Sequence, residues 1–147
     1  MMALMEKPLF VHTDGGARGN PGPAAAGFIV RDDQKKILAQ GQKYLGKTTN
    51  NVAEYAAVIA ALQWLLNSPV TSPQSLITFF LDSKLVVNQL NGLYKIKDAK
   101  LRVLAIKVRG LEQQLGKKII YHFVPRYQNK QADFLVNQCL DRELIIS

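Results

Sequence analysis

The sequence predicts an α/β fold, a sheet of five strands packed against helices and built as one domain. Three observations carry this. Strand-like segments at residues 8–14, 24–31 and 36–44 follow one another across glycine-rich or polar turns, the pattern of an antiparallel meander. The apolar run Leu-Ile-Thr-Phe-Phe-Leu at residues 76–81 suits a strand buried on both faces of a sheet. Around it, apolar residues recur at helical spacing over residues 52–66, 101–115 and 132–140. With 147 residues the chain has room for one core, and residues 1–8 and 141–147 are set aside as an N-terminal extension and a C-terminal tail.

Taken in order, the first strand leads into His12-Thr13-Asp14-Gly15-Gly16-Ala17-Arg18-Gly19-Asn20-Pro21-Gly22, so Asp14 stands at or near a strand end. Gly15 and Gly16 lack a Cβ and would let a polymer backbone come close. Asp-Gly is also a common turn start, and for Asp14 alone both readings stand. Asp32-Asp33-Gln34-Lys35 make a polar turn between the second and third strands. The clearest helix carries Val52, Tyr55, Ala56, Ile59, Ala60, Leu62 and Leu66 on one stripe, with Trp64 read as core, and Ser68-Pro69 ends it. Asn51 as N-cap with Glu54 three residues on would be a capping box; the other reading gives Glu54 to a site.

Asp82 closes the fourth strand. A bare carboxylate there is expensive without a cation or donors to meet it, or else it caps the short helix at 85–90. Lys95, Lys97 and Lys100 surround Tyr94 and either touch phosphates or solvate a helix start. Residues 119–124 form the fifth strand. Asn129 is positioned to cap the last helix, whose stripe is Ala132, Leu135, Val136, Cys139 and Leu140. Asp133 lies beside that stripe, a site acid or a helix-dipole acid worth ~0.3–1 kcal/mol.

Lys and Arg number 19 against 11 Asp and Glu, a net charge of +8 that points to an anionic polymer, nucleic acid first. The first residues are too short and too charged an apolar stretch for a signal peptide or membrane anchor. Cys139 is the one cysteine, which excludes an internal disulfide and a cysteine-cluster zinc site. A cytoplasmic monomer without a membrane partner is expected.

Asp14 and Asp82 at strand ends, with Glu54 and Asp133 near helix starts, all sit where open α/β sheets build their sites. If the strands carrying Asp14 and Asp82 are neighbours, the four carboxylates converge and need protons or cations. Hard oxygen ligands without a His or Cys cluster point to Mg²⁺ or Mn²⁺. Two such ions ~3.5–4 Å apart would serve both the attacking and the leaving oxygen of a phosphodiester.

The stretches Thr-Asp-Gly-Gly-Ala-Arg-Gly-Asn-Pro-Gly (13–22), Thr-Asn-Asn-Val-Ala-Glu-Tyr (49–55), Asp-Ser-Lys-Leu-Val-Val-Asn-Gln (82–89) and Val-Pro-Arg-Tyr-Gln-Asn-Lys-Gln-Ala-Asp (124–133) together resemble type 1 ribonuclease H. The resemblance covers residues 9–140 and implies a ribonuclease H-like fold: a mixed five-stranded sheet of order 3-2-1-4-5 with helices on both faces. It implies Mg²⁺-dependent endonucleolytic cleavage of the RNA strand of an RNA–DNA hybrid, leaving a 5′-phosphate and a 3′-hydroxyl. Asp14, Glu54, Asp82 and Asp133 would be its metal ligands. Gly15, Gly16 and Asn51 match positions that meet the RNA strand, whose 2′-hydroxyls tell it from DNA. Asn20 shares the same loop, and Thr49 and Asn50 match positions near the DNA strand.

The chain also departs from the family. Arg126 stands in the loop where many members carry a histidine, and it is read as a catalytic group that holds a phosphate oxygen or draws off the product. His122 is read as a strand residue and His12 as a core or supporting one. A long basic protrusion is replaced by residues 94–100, so Lys95 and Lys97 become the phosphate contacts. Lys84 replaces a frequent glutamine. The rival expectation is a non-catalytic module that binds hybrids or double-stranded RNA on the same surface; double-stranded RNA also stays open as a second substrate.

Overall fold

Along the first strand Leu9, Val11 and Thr13 are buried while Phe10 and His12 are half-buried, so the sheet commits one face to a core more fully than the other. The computed structural model describes residues 7–69, 71 and 75–146. Its elements are β1 (Lys7–Ala17), β2 (Gly22–Arg31), β3 (Ile37–Thr48), α1 (Asn50–Leu66), β4 (Ser75–Leu81), α2 (Lys84–Leu90), α3 (Ala99–Leu115), β5 (Ile120–Phe123), a 3₁₀ turn (Arg126–Gln128) and α4 (Lys130–Ile146). The sheet order is β3-β2-β1-β4-β5. The first three strands pair antiparallel, and β4 and β5 join parallel to their neighbours. This is the mixed sheet and the order that the resemblance implied.

The larger core joins Leu9, Val11, Phe28, Val30, Ile77 and Phe79 of the sheet to Val58 and Leu62 of α1 and Leu101 and Val108 of α3. The other face meets α4, where Ala25 packs with Val136, Cys139 and Leu140. The small residues of β2 make that approach feasible. A Cβ at Gly27 would stand 3.0 Å from Leu135 Cβ and 3.1 Å from the Ala132 carbonyl oxygen. Helices therefore cover both faces. Among the described residues no helix is long and apolar enough to cross a membrane.

The fourth strand corrects one expectation. Ser75, Ile77, Phe79 and Leu81 are buried, but Leu76 is exposed and Thr78 and Phe80 are only half-covered. The apolar run is thus buried on one face; on the other, Phe80 lies between His12, ring centroids 4.8 Å apart, and His122 at 6.1 Å. His12 accordingly faces this open side rather than the core, and burial followed by the Arg31 charge lowers its pKa. His122 is an exposed strand residue. Trp64 packs against the main core, and Asp32 closes its turn by accepting the Gln34 and Lys36 N–H groups at 2.9 Å each.

The element ends also differ. Lys7 and Pro8 pair within β1 instead of belonging to an extension, and residues 141–146 continue α4 instead of forming a tail. The expectation for residues 1–6, that they form no signal or anchor, lies outside the described residues. Strand β3 runs on to Thr48 because β2 stays paired with it as far as Gly22.

Helix α1 crosses β1 at Gly15 in direct backbone contact: a Cβ there would lie 2.1 Å from the Ala53 carbonyl carbon and oxygen. At Gly16 the nearest atom is a Val136 methyl at 3.7 Å, an ordinary contact. Gly15→Ala is therefore expected to cost about 3 kcal/mol, the upper range for an overpacked core, and Gly16→Ala less than ~1 kcal/mol. Urea unfolding of the two variants checks this; equal costs would contradict the packing described.

Candidate active site

The parallel pairing of β1 with β4 brings His12 opposite Phe80 and ends there. Two residues further on, each strand reaches an acid, Asp14 on β1 and Asp82 just past β4. Beyond that point β1 continues paired with β2 alone, Asp14 opposite Gly27 and Ala17 opposite Ala24, while the chain after β4 turns into α2. The two acids thus face the crevice where neighbouring strands part company, at the carboxyl ends of the parallel pair. Asp14 lies within a strand and starts no turn. Asp82 is not the helix cap, because the Ser83 hydroxyl accepts the Val86 N–H at 3.2 Å and fills that position.

Glu54 reaches the same crevice from α1. The expected capping box does not form, since Thr49, with extended backbone, is the N-cap and accepts the Val52 N–H at 3.2 Å. Two further bonds tie this helix start to the glycine loop. The Asn50 N–H donates to Asn20 Oδ1 at 3.0 Å, and the Ala17 N–H donates to Asn50 Oδ1 at 2.8 Å. With the cap supplied elsewhere, Glu54 Oε1 accepts the Gly15 N–H at 3.3 Å; the same N–H lies 3.0 Å from Asp14 Oδ1. Gly15's missing Cβ therefore admits the α1 backbone.

Oxygens of Asp14, Glu54 and Asp82 all lie within 4.8 Å of one another. Asp133, in the first turn of α4, lines the same cleft and adds its charge to the surroundings of Asp14 and Asp82. The cluster raises its own proton affinity. Burial, then the Asp82 charge, pushes the Asp14 carboxyl up to about 7. Burial and the Asp14 charge hold Glu54 well above the carboxylate range. Asp82 is raised by burial, against the Asn129 amide and the Arg126 guanidinium, which favour its charged form. Glu54 Oε2 is buried with no hydrogen-bond partner among the described residues. Three crowded carboxylates, one with an unsatisfied oxygen, fit a hard divalent cation.

The cleft has a volume of about 490 Å³, with Gly16, Asn50, Asn51, Arg126 and Asn137 on its walls. Asn51 also lines an adjoining groove with Tyr94, Lys95 and Lys97, so the expected phosphate contacts are reached from the acids past one shared residue. Thr49 and Asn20 do not line the cleft; their side-chain oxygens hold the start of α1. Two further residues of the site have no motif of their own in the sequence. Arg18 braces the wall through an ion pair to Asp141 at 2.7 Å. Asn129 was read as a helix cap, but its amide donates to the Thr13 carbonyl at 2.8 Å and to Asp82 Oδ2 at 3.2 Å. Nothing in the Gln-Asn-Lys-Gln-Ala-Asp stretch signals this role, because both acceptors lie far off in the chain.

Residues 12–139 match the family described as reverse transcriptase-like. Among curated proteins the chain is similar to a bifunctional protein of Mycobacterium tuberculosis, 40% identical over 132 residues that make up 89% of this chain and 35% of that protein. It is also similar to ribonuclease HI of Halobacterium salinarum, 40% identical over 128 residues, 87% of this chain and 62% of that one. The chain thus spans about a third of the first relative's length. Among solved structures it is similar to LC11-RNase H1 in complex with an RNA/DNA hybrid, with a TM-score of 0.89 and 37% identity over 92% of this chain and 99% of that chain.

The raised acids fix a sign for the stability of the metal-free protein. A carboxyl whose folded pKa is raised stabilises the fold fully below its ordinary value, 3.8 for Asp14, and that contribution is lost as pH rises through about 7. Asp82→Asn removes one of the repelling charges. It is expected to raise Tm in EDTA near pH 8 by on the order of 2–4 °C, the shift about 1 kcal/mol produces at this size, and to do much less near pH 4. Thermal melts at the two pH values check this; a fall in Tm near pH 8 would contradict it.

Proposed function

The chain belongs to the type 1 ribonuclease H family, and on that footing we propose that it is a metal-dependent endonuclease that hydrolyses the RNA strand of RNA–DNA hybrids, leaving 5′-phosphate and 3′-hydroxyl ends. The observation that carries this reading is the convergence of Asp14, Glu54 and Asp82 within 4.8 Å, with Asp133 beside them in one cleft. Binding a polyanion alone is hindered by clustered carboxylates, so the cluster has to be explained by chemistry.

Asp14, Glu54, Asp82 and Asp133 would hold Mg²⁺, or Mn²⁺, with two ions bound alongside substrate. Bound there, such ions supply Lewis-acid charge to the phosphodiester oxygens and acidify the attacking water. The remaining work falls to the chain itself. Gly16 and Asn51 line the cleft where the RNA backbone would lie, and Gly15, its N–H already turned to two carboxylates, shapes the floor beneath. The wide minor groove of a hybrid presents its 2′-hydroxyls to such a surface. Thr49 and Asn50 flank the neighbouring strand, and Lys95 and Lys97 meet its phosphates along the adjoining groove. Arg126 is exposed on the cleft wall beside Asp82. An arginine stays charged at neutral pH and cannot shuttle a proton, so its role is to hold a phosphate oxygen or to draw the product away.

Each chain carries all four acids, which supports action as a monomer. Cys139 is buried and single, so the fold needs no oxidising compartment, in keeping with the cytoplasm.

Incubation of a labelled RNA–DNA hybrid, an RNA duplex and a DNA duplex with Mg²⁺, Mn²⁺ or EDTA tests the proposal. Cleavage of the hybrid's RNA strand is expected with metal and none in EDTA. Cleavage that survives EDTA, or an equal attack on DNA, would sink it, and tight binding without cleavage would make the chain a hybrid-binding module. The RNA-duplex arm decides whether that substrate is also cut.

Arg126→Ala is expected to lower kcat about 10- to 100-fold, the equivalent of losing a charge-assisted hydrogen bond of about 1.5–3 kcal/mol, with a smaller change in KM. Arg126→Lys should rescue only in part, because a point charge replaces a two-pronged donor. Steady-state and burst kinetics separate an effect on chemistry from one on release. An unchanged kcat with a lowered Tm would make Arg126 a surface residue that stabilises the turn before α4 and takes no part in catalysis.

A further inference from the structure

Asn129 is 1% exposed and directly precedes α4, where an asparagine ordinarily turns its side-chain oxygen onto the helix N–H groups. Here Oδ1 is buried with no partner among the described residues, and the amide nitrogen does the work. Nδ2 donates to the Thr13 carbonyl at 2.8 Å and to Asp82 Oδ2 at 3.2 Å. An asparagine amide has two N–H donors, and this one spends both on the two strand ends that carry acids, since Thr13 is the neighbour of Asp14. The backbone carbonyl of the same residue accepts the Asp133 N–H at 3.1 Å. One residue therefore touches all three chain positions that bring Asp14, Asp82 and Asp133 together.

A primary amide suits this place for a definite reason. Aspartate would set a further negative charge against Asp82, and serine offers a single short donor that cannot reach both partners. Helix capping does not account for it, because the oxygen that would cap makes no such bond. A residue kept at the cost of a buried, unsatisfied acceptor is doing something other than finishing a helix.

We infer that Asn129 is a positioning residue of the acidic centre. Its amide holds the Asp82 carboxylate at the mouth of the β1–β4 crevice, and its backbone seats the first turn of α4, so that Asp133 arrives in register with the strand acids. Its consequence is the divalent-cation affinity of the cluster rather than the chemistry. The inference rests on the proposed metal site, but not on what nucleic acid that site cleaves.

The test uses the full chain without nucleic acid and Mn²⁺ as the probe, its free concentration counted by electron paramagnetic resonance. Asn129→Ala and the milder Asn129→Ser are compared with wild type and with Val108→Ala, a core truncation in α3, a helix that contributes no residue to the cleft lining. Urea unfolding in EDTA ranks the stability of all four. Asn129→Ala and Asn129→Ser are expected to weaken Mn²⁺ binding about 10- to 100-fold, the usual effect of losing a hydrogen bond that orients a metal ligand. Val108→Ala is expected to lose stability and keep its affinity. If Asn129→Ala does not fold, Asn129→Ser carries the comparison. Unchanged Mn²⁺ affinity in the folded Asn129 variants, beside a wild type that binds, would overturn the inference and leave the metal site standing. A wild type that binds no Mn²⁺ would overturn the metal site and the inference together.

Discussion

Neighbouring parallel strands, β1 and β4, that run in register and then diverge make an opening where two carboxylates can face each other, and the site is built around that opening. Asp14 and Asp82 stand two residues beyond the last paired positions, His12 and Phe80. Desolvation raises the proton affinity of both acids; the Asp82 charge adds to this at Asp14, while the Asn129 amide and the Arg126 guanidinium oppose it at Asp82. The arrangement persists because the rest of the fold insists on it. Leu9, Val11, Ile77 and Phe79 lock β1 and β4 side by side in the main core, and the acids are carried to their places by that packing. Strain of this kind belongs to sites that await a ligand, where stability elsewhere offsets a locally unfavourable arrangement.

The other two acids depend on close approaches. Helix α1 lies with its Ala53 carbonyl against Gly15, so Glu54 comes within reach of the Gly15 N–H. Helix α4 lies over the small residues of β2, and Gly27 in particular leaves room for Ala132 and Leu135, which flank Asp133. In both cases a missing Cβ on the sheet is what lets a helix deliver a carboxylate. The caps divide the labour in the same way. Thr49 and Ser83 satisfy the helix starts with hydroxyls, which leaves Glu54 and Asp82 unspent.

Much of this was legible in the chain. The strand end at Asp82, the stripe of α4 and the polar turn at Asp32 all follow from local chemistry, because hydrophobic periodicity and turn residues act over a few positions, whereas β1 runs past Asp14 to Ala17 because β2 stays paired with it. What was misjudged depended on partners distant in sequence. Asn51 fits the spacing of a cap, whereas Thr49 takes the position and Asn20 reaches across from the glycine loop to the Asn50 N–H. The unbroken apolar run ending at Leu81 predicts burial on both faces, but Leu76 and Phe80 look onto a side of the sheet that stays partly open. Asn129 could not be recognised from spacing, since its two acceptors lie 116 and 47 residues away.

The central claim is that the acids are held partly protonated by their crowding until a cation replaces the protons. The direct test is the number of protons released when saturating Mg²⁺ is added near pH 6, followed on a pH-stat. With the Asp14 carboxyl pushed up to about 7 by burial and the Asp82 charge, and Glu54 raised in the same direction, release of about one proton per chain is expected. Mg²⁺ binding with no proton release near pH 6 would contradict the account.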